Sequence, residues 1–152
     1  MFTPTIKEVA PTDFAEQIYT IMQEAYSVEA KLLGVNDFFP LGRTARDIAD
    51  SDNLFLGYSH GGELIGVCEV EDLGNHAGLI AATVVNPNYF RRGIASSLIG
   101  HLLASTFFRT FTVSTAEGNL PAIKLYQAHG FKPVGRKTLP DGMRVVTLRF
   151  LT

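Results

Sequence analysis

The sequence predicts an α/β fold in which a mixed β-sheet carries helices on both faces within a single domain. Three observations lead there. An apolar run (Leu79–Val85), a stripe of apolar residues at helical spacing and an alternating run (Phe111–Thr115) follow one another as a strand–helix–strand unit. Such a unit places its strands parallel with a right-handed crossover. Strand-like runs flank it in pairs, each pair joined by a tight-turn sequence, which makes antiparallel hairpins. The chain of 152 residues is 46% hydrophobic and 18% charged, apolar enough for one core and close to the roughly 150 residues of one domain.

The elements follow in order. Asp13, with Glu16 three residues on, has the form of a capping box, and Phe14, Ile18, Ile21, Met22 and Ala25 then recur at helical spacing. Residues 31–43 show no sustained period and contain Gly and Pro, so they read as a long loop, followed by a short helix over Thr44–Asp50. Leu54–His60 and Glu63–Glu71 are strands joined by Gly61-Gly62, a pair that tolerates the positive φ of a hairpin turn. Leu79–Val85 is almost wholly apolar, as a strand covered on both faces requires, and Pro87 ends it because proline brings no donor to a ladder. Ala95, Leu98, Ile99, Leu102, Leu103 and Phe107 mark a helix over 93–107. Phe111–Thr115 is a strand and Leu120–His129 a helix stopped by Gly130. Phe131–Arg136 and Arg144–Phe150 form a last hairpin, turned at Pro140-Asp141-Gly142.

Composition excludes several function classes. Thirteen Lys and Arg against fifteen Asp and Glu leave a net charge of −2, which supplies no general field for nucleic acid or an anionic membrane. The longest apolar run, Leu79–Val85, contains Thr83 and falls far short of the ~20 residues of a membrane helix. Met1-Phe2-Thr3-Pro4 has neither the basic start nor the apolar stretch of a signal peptide. Cys68 is the one cysteine, so no internal disulfide can form; this fits a reducing compartment, and a cytoplasmic protein is expected. A buried structural thiol is the favoured role for it. His60, His101 and His129 show no metal-ligand spacing with one another or with Cys68, so no metal is expected.

Two segments carry chemistry. In Val84-Val85-Asn86-Pro87-Asn88-Tyr89-Phe90-Arg91-Arg92-Gly93-Ile94-Ala95-Ser96 an apolar strand turns into an amphipathic helix through two arginines and a glycine. The first amides of a helix lack internal partners and sit at the positive end of its dipole, so they can bind a phosphate. The stretch lacks the Gly-Lys-Ser/Thr of a Walker loop and the three glycines of a dinucleotide fingerprint. A solvated Arg pair at an ordinary helix start fits it equally well. In the second segment, 114–131, Asn119 is a good N-cap, Pro121 suits a first helical turn, and Tyr126 lies about two turns beyond Asn119 on a shared face. Taken alone, Tyr126 belongs to a core-facing stripe with Ala122, Leu125 and His129.

Together and in this order, the two segments resemble the GNAT superfamily of acyl-CoA-dependent N-acyltransferases. Phe90-Arg91-Arg92-Gly93-Ile94-Ala95 is similar to its pyrophosphate motif, Gln/Arg-x-x-Gly-x-Gly/Ala. Asn119, Ala122, Leu125, Tyr126, Gly130 and Phe131 match its later motif, Asn-x-x-Ala-x-x-Leu-Tyr-x-x-x-Gly-Phe. The matched motifs cover roughly residues 79–131, and the order of flanking elements agrees over nearly the whole chain. The resemblance implies a mostly antiparallel sheet whose central parallel strands, 79–85 and 111–115, splay apart to admit the pantetheine arm of acetyl-CoA. It implies backbone bonds from Val84 and Val85 to that arm, and amides of Arg91, Arg92, Gly93, Ile94, Ala95 and Ser96 around the pyrophosphate. Asn119 would contact the cofactor, and Tyr126 would stand near the thioester sulfur as general acid. The implied function is transfer of acetyl from acetyl-CoA to a primary amine, of a small molecule or a peptide, by direct attack. The alternative is a non-catalytic acyl-CoA-binding or sensing domain of the same fold.

The chain departs from the family pattern twice. Phe90 stands where the first motif has Gln or Arg, and Ser114 stands where some members place a glutamate five residues before the motif Asn. The base is therefore open among Glu117, Glu69, Glu71 and His76. The acceptor pocket is expected from loop 31–43, where Asp37, Phe38 and Phe39 would make an aromatic wall with one anionic group, unless the two phenylalanines only anchor the loop on the core. The sequence does not name the acceptor. Leu148-Arg149-Phe150-Leu151 either forms a sheet edge for a homodimer or lies inside the monomer.

Overall fold

The computed structural model describes residues 3–105 and 107–151; position 106, in the helix expected over 93–107, lies outside them, as do 1, 2 and 152. The strands are β1 (Thr5–Glu8), β2 (Leu54–His60), β3 (Glu63–Asp72), β4 (Ala77–Val85), β5 (Thr110–Ala116), β6 (Lys132–Thr138) and β7 (Arg144–Leu151). They form one sheet in the order β1-β2-β3-β4-β5-β7-β6. Each neighbouring pair is antiparallel except β4–β5, which is parallel. The helices are α1 (Pro11–Leu33), α2 (Ala45–Ala49), α3 (Ile94–Leu103) and α4 (Leu120–Ala128), with short 3-10 turns at Phe39–Gly42 and Pro87–Tyr89.

Both faces of the sheet are covered. Ile18, Ile21 and Met22 of α1 and Ile48 of α2 pack on Phe55, Val67, Ala82 and Val84. On the other face, Leu98, Ile99 and Leu102 of α3 and Tyr126 of α4 pack with Ile65, Cys68, Ile80 and Phe111. β4 sends Ala82 and Val84 into one core and Ile80 and Val85 into the other. That is why its sequence shows no polar alternation.

Several boundaries differ from those expected. α1 begins at Pro11, not at Asp13: Ala10 is the N-cap without a side-chain bond, and Pro11 occupies a first-turn position where its missing N–H leaves nothing unpaired. Asp13 is instead a first-turn acid, favourable to the helix dipole. α1 also runs on to Leu33 and is closed by Gly34 at φ 68°, so the start of the expected loop 31–43 is helical. β1 was not expected, because its four residues hold one apolar side chain in a largely exposed pattern. Leu148 and Arg149 pair with β5 on one side and β6 on the other, whereas Phe150 and Leu151 pair with β5 alone.

One glycine fixes how closely α3 approaches the sheet. A Cβ on Gly66 of β3 would lie 3.0 Å from Ile94 Cγ2 and 3.3 Å from Leu98 Cδ1, so the first turn of α3 sits almost on the β3 backbone. Gly66→Ala is expected to lower stability by about 1–3 kcal/mol through overpacking, read as a lower urea midpoint. An unchanged midpoint would show that α3 can shift outward freely.

Candidate active site

The parallel pairing of β4 with β5 is short. It joins Ala77–Ile80 to Thr110–Val113, whereas β4 continues to Val85 and β5 to Ala116. The cause lies in β4, where the register against β3 passes from Val70↔Ile80 to Glu69↔Ala82 and leaves Ala81 as an extra residue. A bulge of this kind bends its strand and sharpens the local twist. β5 stays straight because β7 pairs with it as far as Ala116. The two strands therefore separate beyond Ile80 and Val113. Between them lies a cleft of about 230 Å³ lined by Ile80 to Thr83 and Val113 to Ala116.

Side chains reach this cleft from both faces. From α4 comes Tyr126, 4% exposed, whose hydroxyl donates to Thr83 Oγ1 at 2.9 Å and whose ring packs edge-on against Phe131 at 5.3 Å. Burial raises its pKa above the ordinary phenol value of 10, and the Thr83 bond lowers it only in part. Tyr126 is thus a firmly protonated phenol. Cys68 Sγ lies 3.7 Å from the same Thr83 hydroxyl, and burial pushes its thiol up to about 12. A thiol so placed is a poor nucleophile.

At the end of β4 the chain turns through Asn86, whose side chain accepts from Asn88 N–H at 2.9 Å. Val84 and Val85 bury their side chains while pairing with Val67 and Gly66 of β3. Arg91 (φ 64°) and Gly93 (φ 75°) then adopt left-handed conformations on either side of Arg92. For Arg91 this costs about 1–2 kcal/mol, and strain of this kind is commonly kept at binding loops. The first bond of the α3 ladder runs from Ser97 N–H to Gly93 C=O at 2.9 Å, so the amides from Arg91 to Ser96 precede that ladder, as the unpaired donors of a helix start do. Ile94 anchors the turn in the core, and Ala95 packs against it. The Arg92 guanidinium lies 5.1 Å over the Tyr89 ring, and Ser96 Oγ is hydrogen-bonded to His129 Nε2 at 2.9 Å.

Asn119 caps α4, its Oδ1 accepting from Ala122 N–H at 3.2 Å. Glu29, a half-buried α1 residue, lines the cleft with it; burial raises the Glu29 carboxyl and the Asn119 side chain partly offsets this. Phe38 is buried edge-on against Tyr26 at 5.9 Å, whereas Phe39 is 89% exposed at the cleft mouth. Asp37 is exposed and does not line the cleft; its acidic residues are Glu29 and Asp141.

The structure separates the four carboxylate and imidazole candidates. Glu69 is 1% exposed and holds Arg43 through two bonds of 2.6 and 2.9 Å, with Asn53 Nδ2 donating at 2.8 Å. It fastens the segment after Phe39–Gly42 to β3 and is no free base. Glu117 pairs with Arg144 at 3.3 Å and is absent from the cleft lining. Glu71 and His76 lie at the far end of the sheet: Glu71 is in register with Leu79, and His76 Nδ1 contacts Phe107 O at 2.8 Å. Ser114 hydrogen-bonds Thr147 at 2.8 Å. Tyr26, Glu29 and Thr83 were not singled out from the sequence. The signal for the first two was present, since Met22, Tyr26 and Glu29 continue the α1 stripe at spacings of four and three. Among the described residues, no group of three His, Cys, Asp or Glu is placed to hold a metal ion, and no helix is long and apolar enough to cross a membrane.

A family model described as the acetyltransferase (GNAT) family matches residues 15–131. The UPF0157 protein YqkA of Bacillus subtilis is 34% identical over 119 residues, which is 78% of this chain but 34% of that protein. The chain thus spans about a third of that relative's length. The N-alpha-acetyltransferase RimI of Mycobacterium tuberculosis is 28% identical over 116 residues, 74% of this chain and 73% of that one. The crystal structure of the ribosomal-protein-S18-alanine N-acetyltransferase from Escherichia coli superposes with a TM-score of 0.78 at 19% identity, covering 98% of this chain and 94% of that chain.

Two consequences of the buried charges are measurable. Arg43→Met leaves the Glu69 carboxylate without its cation and is expected to cost about 2–4 kcal/mol, toward the low end because water reaches Arg43; adding Glu69→Met should recover most of it. Equal losses in the single and double variants, measured by chemical denaturation, would contradict this. Glu29 carries the opposite sign. Its carboxyl is raised in the folded state, so the native form binds more protons and stability falls as pH rises from about 4.5 through the raised value. Glu29→Gln should therefore raise Tm at pH 7, and the gain should vanish below about pH 4.

Proposed function

Because the chain belongs to the acetyltransferase (GNAT) family, we propose that it is an N-acetyltransferase moving acetyl from acetyl-CoA to a primary amine. The observation that carries this reading is the position of the Tyr126 hydroxyl in the split between β4 and β5, with helix-start amides ahead of the α3 ladder at the end of β4. Acetyl-CoA, when bound, supplies the acetyl group as an activated thioester. The β4 edge beyond Ile80 is free of β5; Asn86 N–H bonds Ile65 C=O in the register that turns Val84 toward β3, so it is the Val85 backbone that can bond an extended pantetheine arm as an added strand would. Amides of Arg91, Arg92, Gly93, Ile94, Ala95 and Ser96 would hold the pyrophosphate, with the Arg91 and Arg92 charges at the rim. Phe90 contributes no charge, so this site relies on backbone and on its neighbours.

Tyr126 would turn its hydroxyl from Thr83 to the leaving sulfur and give it a proton. The raised pKa favours that role, because the phenol stays protonated throughout the neutral range. A buried Cys68 thiol at about 12 supports direct attack by the amine with no acyl-enzyme step. The name of the mycobacterial relative, an N-alpha-acetyltransferase, supports an amine as the acceptor.

A thermal-shift series tests the reading. Acetyl-CoA and CoA at about 100 times their dissociation constants should each add about 2.7 kcal/mol, several degrees for a chain of this size. A pantetheine fragment without the pyrophosphate should do much less. Absence of any shift at millimolar ligand would contradict the proposal. Tyr126→Phe should keep the acetyl-CoA shift and lower turnover by about 10²–10⁴-fold. A shift without turnover on any amine would favour a non-catalytic acyl-CoA-binding domain, toward which Ser114, in place of a carboxylate, points.

A further inference from the structure

We propose that Glu29 is the proton acceptor of this enzyme, and that the acceptor it serves is a primary ammonium carried next to an apolar group. The inference rests on the acetyltransferase reading above and supplies its missing base and substrate class. Glu29 lies on α1, so it enters the cleft from the face opposite Tyr126 of α4. A base and an acid on opposite sides of the split suit a reaction in which the amine that must lose a proton arrives on one side of the carbonyl carbon and the sulfur that must gain one departs on another. Among the described residues no Lys, Arg or His forms an ion pair with Glu29. Its placement is therefore not that of a structural ion pair, unlike Glu69 and Glu117.

The groups that surround Glu29 define what it can receive. Asn119, at the head of α4, caps that helix and lines the cleft beside Glu29, partly offsetting the burial of its carboxyl. Tyr26 lies three residues before it on α1, and Tyr126 faces it from α4. Asp141, in the β6–β7 turn, adds a second acid to the lining. Arg43, which follows the Phe39–Gly42 turn, is held by Glu69. Phe39, Pro40, Leu139 and Met143 add apolar surface to the same lining. Phe39 has no evident role in the core, being 89% exposed. An ammonium would meet carboxylates within, and its apolar body would cover Phe39.

The step balances as follows. Glu29 takes one proton from the ammonium, and the freed nitrogen lone pair forms the C–N bond as the C–S bond breaks. Tyr126 gives its proton to the departing sulfur. The nitrogen loses a second proton as the amide forms, which restores the phenol, and Glu29 releases the first to water. Acetylated amine, free thiol and one proton are the products. Asn119 is a positioning residue here.

Thiol release from acetyl-CoA tests this with phenethylamine as probe acceptor, ethanolamine as polar comparator and a phenylalanine-initiated tetrapeptide to separate a free amine from a peptide N-terminus. Wild type should favour phenethylamine or the peptide over ethanolamine by at least about tenfold in kcat/KM. Glu29→Gln should lose about 10²-fold or more at pH 7. Its activity should then climb with pH toward the pKa of the amine, while wild type stays nearly flat. The acetyl-CoA thermal shift of Glu29→Gln should match wild type, which excludes a folding defect. A Glu29→Gln profile parallel to wild type, or no preference over ethanolamine, would overturn the proposal. No turnover with any probe, while acetyl-CoA still stabilises the protein, would overturn the acceptor assignment and leave thioester binding standing. Loss of both would remove the acetyltransferase reading itself.

Discussion

Everything at the site depends on β4 having a partner on both edges for half its length and on one edge for the rest. The extra residue at Ala81 imposes this change, because it turns β4 away while β7 holds β5 straight. A sheet interior normally leaves no backbone polar group unpaired, since burying one without a partner costs about 1–3 kcal/mol. Opening the strands exposes backbone donors and acceptors within reach of a buried phenol. A slot of this kind selects an extended ligand that can complete the ladder, and a pantetheine arm has the amides to do so.

Around that opening, the fold places charge in two different ways. The Arg43–Glu69 pair is closed: the carboxylate is bidentate, a third donor comes from Asn53, and the pair ties the aromatic loop to β3. Glu29 is kept half-buried and without a cation among the described residues, so burial opposes its ionisation. The first arrangement makes structure. The second stores an unfavourable charge where chemistry can use it, as is common for acids and bases at active sites. The same contrast separates Cys68, silenced by burial, from Tyr126, where burial only secures the proton it would donate.

Much of this was legible in the sequence, for identifiable reasons. The β-α-β unit, both hairpins and the α4 cap at Asn119 were marked by local chemistry that tertiary structure did not override: apolar runs, Gly61-Gly62 and an Asn before Pro121. Arg91-Arg92-Gly93 marked the start of α3, which begins at Ile94. What was not legible depended on register or on distant partners. The Ala81 bulge lies in Leu79–Val85, where neighbouring residues are equally apolar and no residue type marks the extra position. Glu69 reads as a strand carboxylate until Arg43, far away in sequence, is brought against it. Glu29 was hidden because Gly34 and Pro40 made residues 31–43 look like loop, so the α1 stripe was followed no further than Ala25. β1, with little apolar content, gains its place only by pairing with β2.

The central claim is that the open edge of β4 and the amides before the α3 ladder together receive acetyl-CoA. Hydrogen exchange with and without CoA tests it most directly, because it reads those amides one segment at a time. The account predicts that CoA slows exchange at 81–85 and 91–96 and leaves β1 and β6, at the sheet edges, unchanged. Protection confined to other segments, or none at saturating CoA, would contradict it.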